Sequence, residues 1–215
     1  MTPARLTYPE EPNQAGQVLY HYSYLLAELG RFEEAISEAT EALSREPMSP
    51  LLNASLAFVL LHARMYDRCI KQALTALEVD RNMTLNYWTL AVCYEQQGKY
   101  GEAIESYEKC IALGGGLAFS KAFISHAHAG SGERGKAQDS LRELQEISTT
   151  RYVPSVAFVI AYDGLLEIEL AIEFLKRACE NRETNLVLIK VWPHFDHLRG
   201  DPRFQEVERR VGLRK

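Results

Sequence analysis

A small residue returns every 34 positions along this chain, at Ala35, Cys69, Ala103, Ala137 and Ala171, with no insertion between one and the next. Each closes a similar short segment: Gly30 to Ala35, Arg64 to Cys69, Gly98 to Ala103, Gly132 to Ala137 and Leu166 to Ala171. A strict period of this length commits the chain to an array of like units. The same frame governs other positions. Twelve residues before each closing residue stand Ser23, Ala57, Ala91, Ser125 and Val159, and seven after it stand Ala42, Ala76, Cys110, Leu144 and Ala178. A large apolar residue precedes each member of the first set: Tyr22, Leu56, Leu90, Ile124 and Phe158. Small residues let two backbones approach and a large knob fills the space beside them, which is the pattern of two antiparallel helices per unit. One unit alone leaves an apolar face that only stacking buries.

Helices rather than strands suit the rest of the pattern. No proline occurs from Leu51 to Val153, a stretch rich in Ala, Leu, Glu and Lys, and such a composition favours helix interiors. Breaks are marked by Gly30, Gly98, Gly114 to Gly116, Gly130 to Gly135, Gly164 and Gly200, since glycine ends helices without steric cost.

The period, the Gly/aromatic/Ala core (Gly30, Phe32, Ala35; Gly98, Tyr100, Ala103), the pairs Ala42-Leu43 and Ala76-Leu77, and the closing Pro47 together resemble the tetratricopeptide repeat. The resemblance implies an all-α fold, a right-handed superhelix of about five helix-turn-helix units. The repeats fall near residues 16–49, 50–83, 84–117, 118–151 and 152–182, between an extended segment at 1–15 and a C-terminal capping segment at 183–215. Repeats one and three match best, repeat two has Arg64 for the turn glycine, and repeats four and five are degenerate.

The stretch Val191 to Leu213 is similar to the terminal segment of repeat regions in bacterial winged-helix regulators, serine/threonine kinases and nucleotide cyclases. Asp201 can cap a helix that has Pro202 at its first position and Gly212 beyond its end. Phe204, Val207 and Val211, with Phe195 and Leu198 upstream, then form an apolar face that covers the last repeat. Before Gln17 no capping helix is evident. An array capped at one end only is expected to be the tail of a longer chain, or to self-associate through Tyr20, Tyr22 and Tyr24.

In the resembled family the first helix of each pair lines a concave groove. Mapped onto this chain, the lining positions are Gln17, Tyr20, Tyr24 and Ala27; Leu51, Ala54, Phe58 and Leu61; Leu85, Trp88, Val92 and Glu95; and Phe119, Ala122, His126 and Ala129. The partner-binding groove is expected at Tyr20, Tyr24, Leu51, Phe58, Leu85, Trp88, Val92 and Phe119, an apolar and aromatic set of the kind that anchors interfaces. Its occupant is a partner, or the chain's own N-terminal segment or cap. Family members that grip a chaperone's C-terminal carboxylate use cationic groove residues. The matching positions here, Tyr20, Tyr24, Ser55, Leu85 and Thr89, offer none.

Other chemistry finds little support. Gly130 to Lys136 fits the spacing of a phosphate loop, but Ala137 stands where a magnesium-binding hydroxyl belongs, and the segment falls in the turn of repeat four. Gly114 to Gly116 reads as a joint between repeats three and four. His126 and His128 are two apart and face different ways, while His194, Asp196 and His197 are assigned to packing and turn capping. No metal, no cofactor and no catalytic residue is expected. Cys69, Cys93, Cys110 and Cys179 are too scattered for a zinc or disulfide framework and read as buried thiols of a cytoplasmic protein. Acidic residues outnumber basic ones 29 to 24, which weighs against nucleic acid, and neither a signal sequence nor an apolar run of spanning length occurs. The seven Lys and Arg of residues 190–215 exceed the four Asp and Glu there and form the solvated side of the terminal helix.

These features and the resemblance predict a non-catalytic protein–protein interaction scaffold that takes a peptide or partner helix in its groove. The alternative is a regulatory or ligand-sensing region of a larger bacterial signalling protein.

Overall fold

The computed structural model describes residues 12–213, and side chains from Val18 onward. The described residues form eleven α-helices and no strand. Five pairs follow one another: α1 (Pro12–Glu28) with α2 (Phe32–Arg45), α3 (Pro50–His62) with α4 (Tyr66–Val79), α5 (Thr84–Gln96) with α6 (Tyr100–Ala112), α7 (Leu117–Gly130) with α8 (Arg134–Thr150), and α9 (Ser155–Gly164) with α10 (Ile168–Glu180). Two 3₁₀ turns, Thr184–Leu188 and Pro193–Phe195, lead to α11 (Pro202–Arg210). Of the segment expected to be extended, residues 12–15 are helical and 1–11 lie outside the described residues. Pro12 does not prevent this, because the first turn of a helix needs no N–H from it.

The 34-residue frame is a packing frame. All five closing residues are fully buried, and so are all five positions twelve residues earlier. In repeats two and four the contact between the two sites is a hydrogen bond: Cys69 Sγ reaches the Ala57 carbonyl at 3.2 Å, and the Ser125 hydroxyl donates to the Ala137 carbonyl at 2.8 Å. The turn inside each pair repeats as well. Gly30, Arg64, Gly98, Gly132 and Leu166, again 34 apart, all have positive φ. Each donates its N–H to the carbonyl three residues back, and the next residue donates to the carbonyl five back, as in Gly98 to Glu95 and Lys99 to Tyr94, both at 2.9 Å. This left-handed closure is the Schellman arrangement, natural for glycine and strained for Arg64 and Leu166.

Caps complete the last pair and the end of the array. The Glu183 carboxylate accepts from the N–H groups of Ser155 and Val156 at 2.8 and 3.1 Å, so α9 is capped by a residue beyond α10. Asp201 accepts from the Arg203 N–H at 2.7 Å and starts α11, as its place before Pro202 predicts. Phe204 and Val207 of α11 are buried against the last repeat, along with Phe195 and Leu198. Among the cysteines, Cys69, Cys93 and Cys110 are buried thiols, whereas Cys179 is only half-buried.

First helices pack backbone-close across the α1/α3, α3/α5 and α7/α9 junctions, whereas α5 and α7 meet mainly through side chains, Trp88 with Phe123 and Glu95 with His126. Gly114 to Gly116 join α6 to α7 beside this junction. Here Gly115 is required by close approach, since a Cβ on it would stand 2.6 Å from Cys110 Sγ and 2.9 Å from Thr84 Cβ. The C-terminal segment turns back against α5 and α7 here, with Trp192 on Trp88 and Phe123 and His194 on Glu95.

Candidate functional site

A ladder of rings runs along the first helices. Tyr20 and Tyr24 are 4.7 Å apart between centroids, Tyr24 and Phe58 stack at 3.9 Å with planes 8° apart, and Phe58 lies 6.3 Å from Trp88. Trp88 continues to Phe123 and to Trp192, each at 5.8 Å. The positions follow from the frame: Tyr24 and Phe58 are 34 residues apart, so successive helices present them side by side. Burial, and then the neighbouring Tyr20, push the Tyr24 phenol far above its ordinary value, so it stays neutral.

Of the residues expected to line the groove, Tyr24, Phe58, Leu85, Trp88 and Phe119 border one cavity of about 370 Å³. Tyr20 flanks it through Tyr24, and Leu51 is half-buried away from its lining. Val92 does not belong to the surface: it is 1% exposed and packed into the main core. The far wall of the cavity is Asn185, Leu188 and Trp192. Trp192 lies 6.0 Å from Phe119 edge to face and 5.9 Å from Phe123. The chain's own C-terminal segment thus covers the groove over repeats three and four, Phe58 of repeat two is 5% exposed between Tyr24 and Trp88, and Tyr20 and Tyr24 of repeat one are half-buried.

Beyond Trp192 the groove changes chemistry. Glu95 of α5, His126 of α7 and His194 of the second 3₁₀ turn converge, with one ligand-type atom from each lying within 4.8 Å of the others. The Glu95 carboxylate accepts from His126 Nδ1 at 2.5 Å, from His194 Nε2 at 3.2 Å and from the Tyr107 hydroxyl at 2.8 Å. Asp163, fully buried at the end of α9, stands 3.7 Å from His126 Nε2 and accepts from His197 Nδ1 at 3.4 Å. Gly164 permits this crowding, since a Cβ there would sit 2.7 Å from the His126 Cα. Burial opposes charge on all three central groups. For Glu95 the two histidines outweigh it and hold the carboxyl below its usual range, while Glu95 and Asp163 raise His126 to about 9. Burial prevails for His194, whose pKa falls, so the charged pair is Glu95 with His126 and the second imidazole is neutral.

This cluster corrects the assignment of the histidines to packing. His126 and His128 do face different ways, but the partners of His126 come from positions 31 residues before it and 68 after. His194, Asp196 and His197 do not act together: they turn to Glu95, Arg64 and Asp163 respectively. The available signal was the repeat frame. Glu95 and Asp163 share a register with Ala27, Leu61 and Ala129, and His126 shares one with Tyr24, Phe58, Val92 and Ile160. Polar residues at those sites depart from an otherwise apolar column. The Gly130 to Lys136 segment is an ordinary inter-helix turn in which Lys136 pairs with Glu133.

The outer face of α1 is unlike the rest. Val18 is 39% and Leu25 is 50% exposed, whereas Leu52, Asn86 and Ser120 in the register of Val18, and Val59, Cys93 and Ala127 in that of Leu25, are at most 2% exposed against the preceding repeat. No helix among the described residues is long and apolar enough to cross a membrane.

Residues 16–47 and 85–115 each match the tetratricopeptide repeat family. The chain is 28% identical over 142 residues to the TPR repeat-containing protein YpiA of Bacillus subtilis, covering 65% of this chain and 33% of that one. It is 31% identical over 84 residues to the small glutamine-rich tetratricopeptide repeat-containing protein 2 of Saccharomyces cerevisiae, covering 39% of this chain and 24% of that one. The chain thus spans a quarter to a third of the length of these relatives. Among solved structures, TTC0263, a thermophilic TPR protein of Thermus thermophilus, superposes with a TM-score of 0.64 at 19% identity, over 84% of this chain and 99% of that one.

Proposed function

We propose, from the premise that the first and third helix pairs are tetratricopeptide repeats, that this protein is a binding scaffold whose concave ring ladder takes an apolar peptide or partner helix. The observation that supports this is the row Tyr20, Tyr24, Phe58 and Trp88, the last three of which border an open cavity of about 370 Å³. Stacked aromatic rings supply large contact area at low entropic cost, and a ligand side chain entering the cavity desolvates several of them at once. Glu28, half-buried at the cavity's edge, adds one negative charge for a basic flanking residue.

Both tryptophans of the chain, Trp88 and Trp192, border this cavity, so intrinsic fluorescence reports occupancy. Peptides selected from a displayed random library on the wild-type chain are expected to shift the tryptophan emission and to lose about ten-fold or more in affinity with Phe58→Ala. Selected peptides that bind the Phe58→Ala and Tyr24→Ala variants as tightly as wild type would overturn the assignment of the groove.

A second contact surface is favoured by the outer face of α1, where Val18 and Leu25 are exposed at positions that the next three pairs bury. It suits a further helical element or a second copy. Sedimentation of the wild type beside Leu25→Lys tests the second copy: self-association that the substitution leaves unchanged does not run through this face.

A further inference from the structure

We propose that Glu95, His126 and His194 form a binding site for a divalent transition-metal ion, which fastens the C-terminal segment onto the repeat array. The inference stands apart from the peptide-groove reading and rests on the second half of the concave surface.

Four observations carry it. First, the residue types are right: two imidazoles and one carboxylate form a three-ligand set used by zinc and by other first-row divalent ions, with further coordination positions left open. Here those positions face a cavity of about 420 Å³ that all three residues border. Second, the spacing is right. Two ligand atoms each about 2.1 Å from one ion are at most about 4.2 Å apart, and the three groups, within 4.8 Å of one another, reach that arrangement by side-chain shifts of about an ångström.

Third, the surroundings hold supports of the kind that ligands need. Tyr107 donates to Glu95 at 2.8 Å, and the Asp163 carboxylate stands 3.7 Å from the far nitrogen of His126. A carboxylate behind an imidazole, and a donor behind a liganding carboxylate, are the supports that orient metal ligands. On His194 the nitrogen turned away from Glu95, Nδ1, is buried without a hydrogen-bond partner among the described residues, a place for a further support. Fourth, the fold does not ask for polar groups here. The register-equivalent residues Ala27, Leu61, Ala129, Tyr24, Phe58, Val92 and Ile160 show that apolar or aromatic side chains serve the same positions, and a buried ionic cluster is commonly no more stable than its apolar replacement.

The ligands come from α5, α7 and the turn Pro193–Phe195. An ion held by them ties α5 and α7 to the C-terminal segment, and fixes Trp192 in the groove two residues from His194.

The test uses the full chain, freed of metal by chelation and dialysis, titrated with Zn²⁺ by calorimetry and with Co²⁺ by visible absorption. One equivalent of Zn²⁺ per chain is expected, with Co²⁺ d–d bands of a low-coordinate site that Zn²⁺ bleaches. Glu95→Gln, His126→Gln and His194→Gln should each weaken binding by about ten-fold or more, while His128→Gln, which faces Glu133 outside the cluster, should leave it unchanged. Circular dichroism checks that the variants stay helical. Hydrogen exchange on the wild type alone gives an arm that no misfolded variant can obscure, since Zn²⁺ should slow exchange around residues 93–97, 124–128 and 190–198. Failure of the wild type to take up either ion, uptake undiminished in the Glu95→Gln/His126→Gln double variant, or protection confined to other segments would each overturn the proposal.

Discussion

Leu166 holds φ at 61° and is 67% exposed, at a turn where three of the five repeats use glycine. A left-handed non-glycine residue costs roughly 1–2 kcal/mol, and part of that relief is offset because glycine loses more chain entropy on folding. Leu166→Gly should therefore raise stability by about 0.5–1 kcal/mol, read as a higher urea midpoint at unchanged slope. His62 makes a different kind of prediction. Its Nδ1 donates to the Phe58 carbonyl at 2.8 Å, its Nε2 is buried without a partner among the described residues, and burial lowers its pKa from 6.5 to about 4. The folded state thus refuses a proton that the unfolded chain accepts below its ordinary pKa, so the His62 contribution is complete above about pH 6.5 and is lost as pH falls toward about 4. It amounts to about 3 kcal/mol over that window. His62→Gln should remove that part of the acid dependence, and a difference between wild-type and variant stability that stays flat from pH 7 to pH 4 would refute it.

Helices and turns were legible because a period multiplies weak signals. Any one Gly-x-Tyr-x-x-Ala string is a poor predictor, but five related segments at one interval placed the closing residues that prove buried from Ala35 to Ala171. Turn geometry extended further than the glycines, since Arg64 and Leu166 adopt the same left-handed closure without them. What the frame could not show is where the chain goes once the period stops: nothing in Val191 to Leu213 states that Trp192 folds back onto Trp88. Val92 was misplaced because the frame shows which positions recur, not how deep each lies: Val92 is buried in the main core, as is Ile160 in its register. Gly114 to Gly116, read as a joint, does link α6 to α7, and within it Gly115 is also a site of close approach. Gly115→Ala brings a methyl within 2.6 Å of Cys110 Sγ, and overpacking of this kind costs typically about 1–3 kcal/mol. Thermal unfolding should register it, whereas Gly101→Ala on α6, where a Cβ meets nothing within 4 Å, should be neutral or stabilising.

Taken whole, the array is tied to its own tail at several points. Arg64 in the turn of repeat two makes a bidentate pair with Asp196 at 2.6 and 2.8 Å, and His194 meets Glu95 in repeat three. An exposed pair of this kind is worth about 1 kcal/mol or less, close to the strain that Arg64 bears at φ 60°. Arg64→Gly should thus leave global stability within about 0.5 kcal/mol yet speed hydrogen exchange in residues 184–198; equal exchange in both proteins would show that the pair does not hold the tail. Repeat arrays usually communicate only between neighbours, and here residue 64 touches residue 196. Pulled from its two ends, such a chain does not peel helix by helix from the C-terminal side. Once α11 has left the last repeat, the load meets the returning segment, where Trp192, His194 and Asp196 together are seated on repeats two, three and four, and a force–extension trace should show one rupture of that clasp before the shorter steps of the individual pairs.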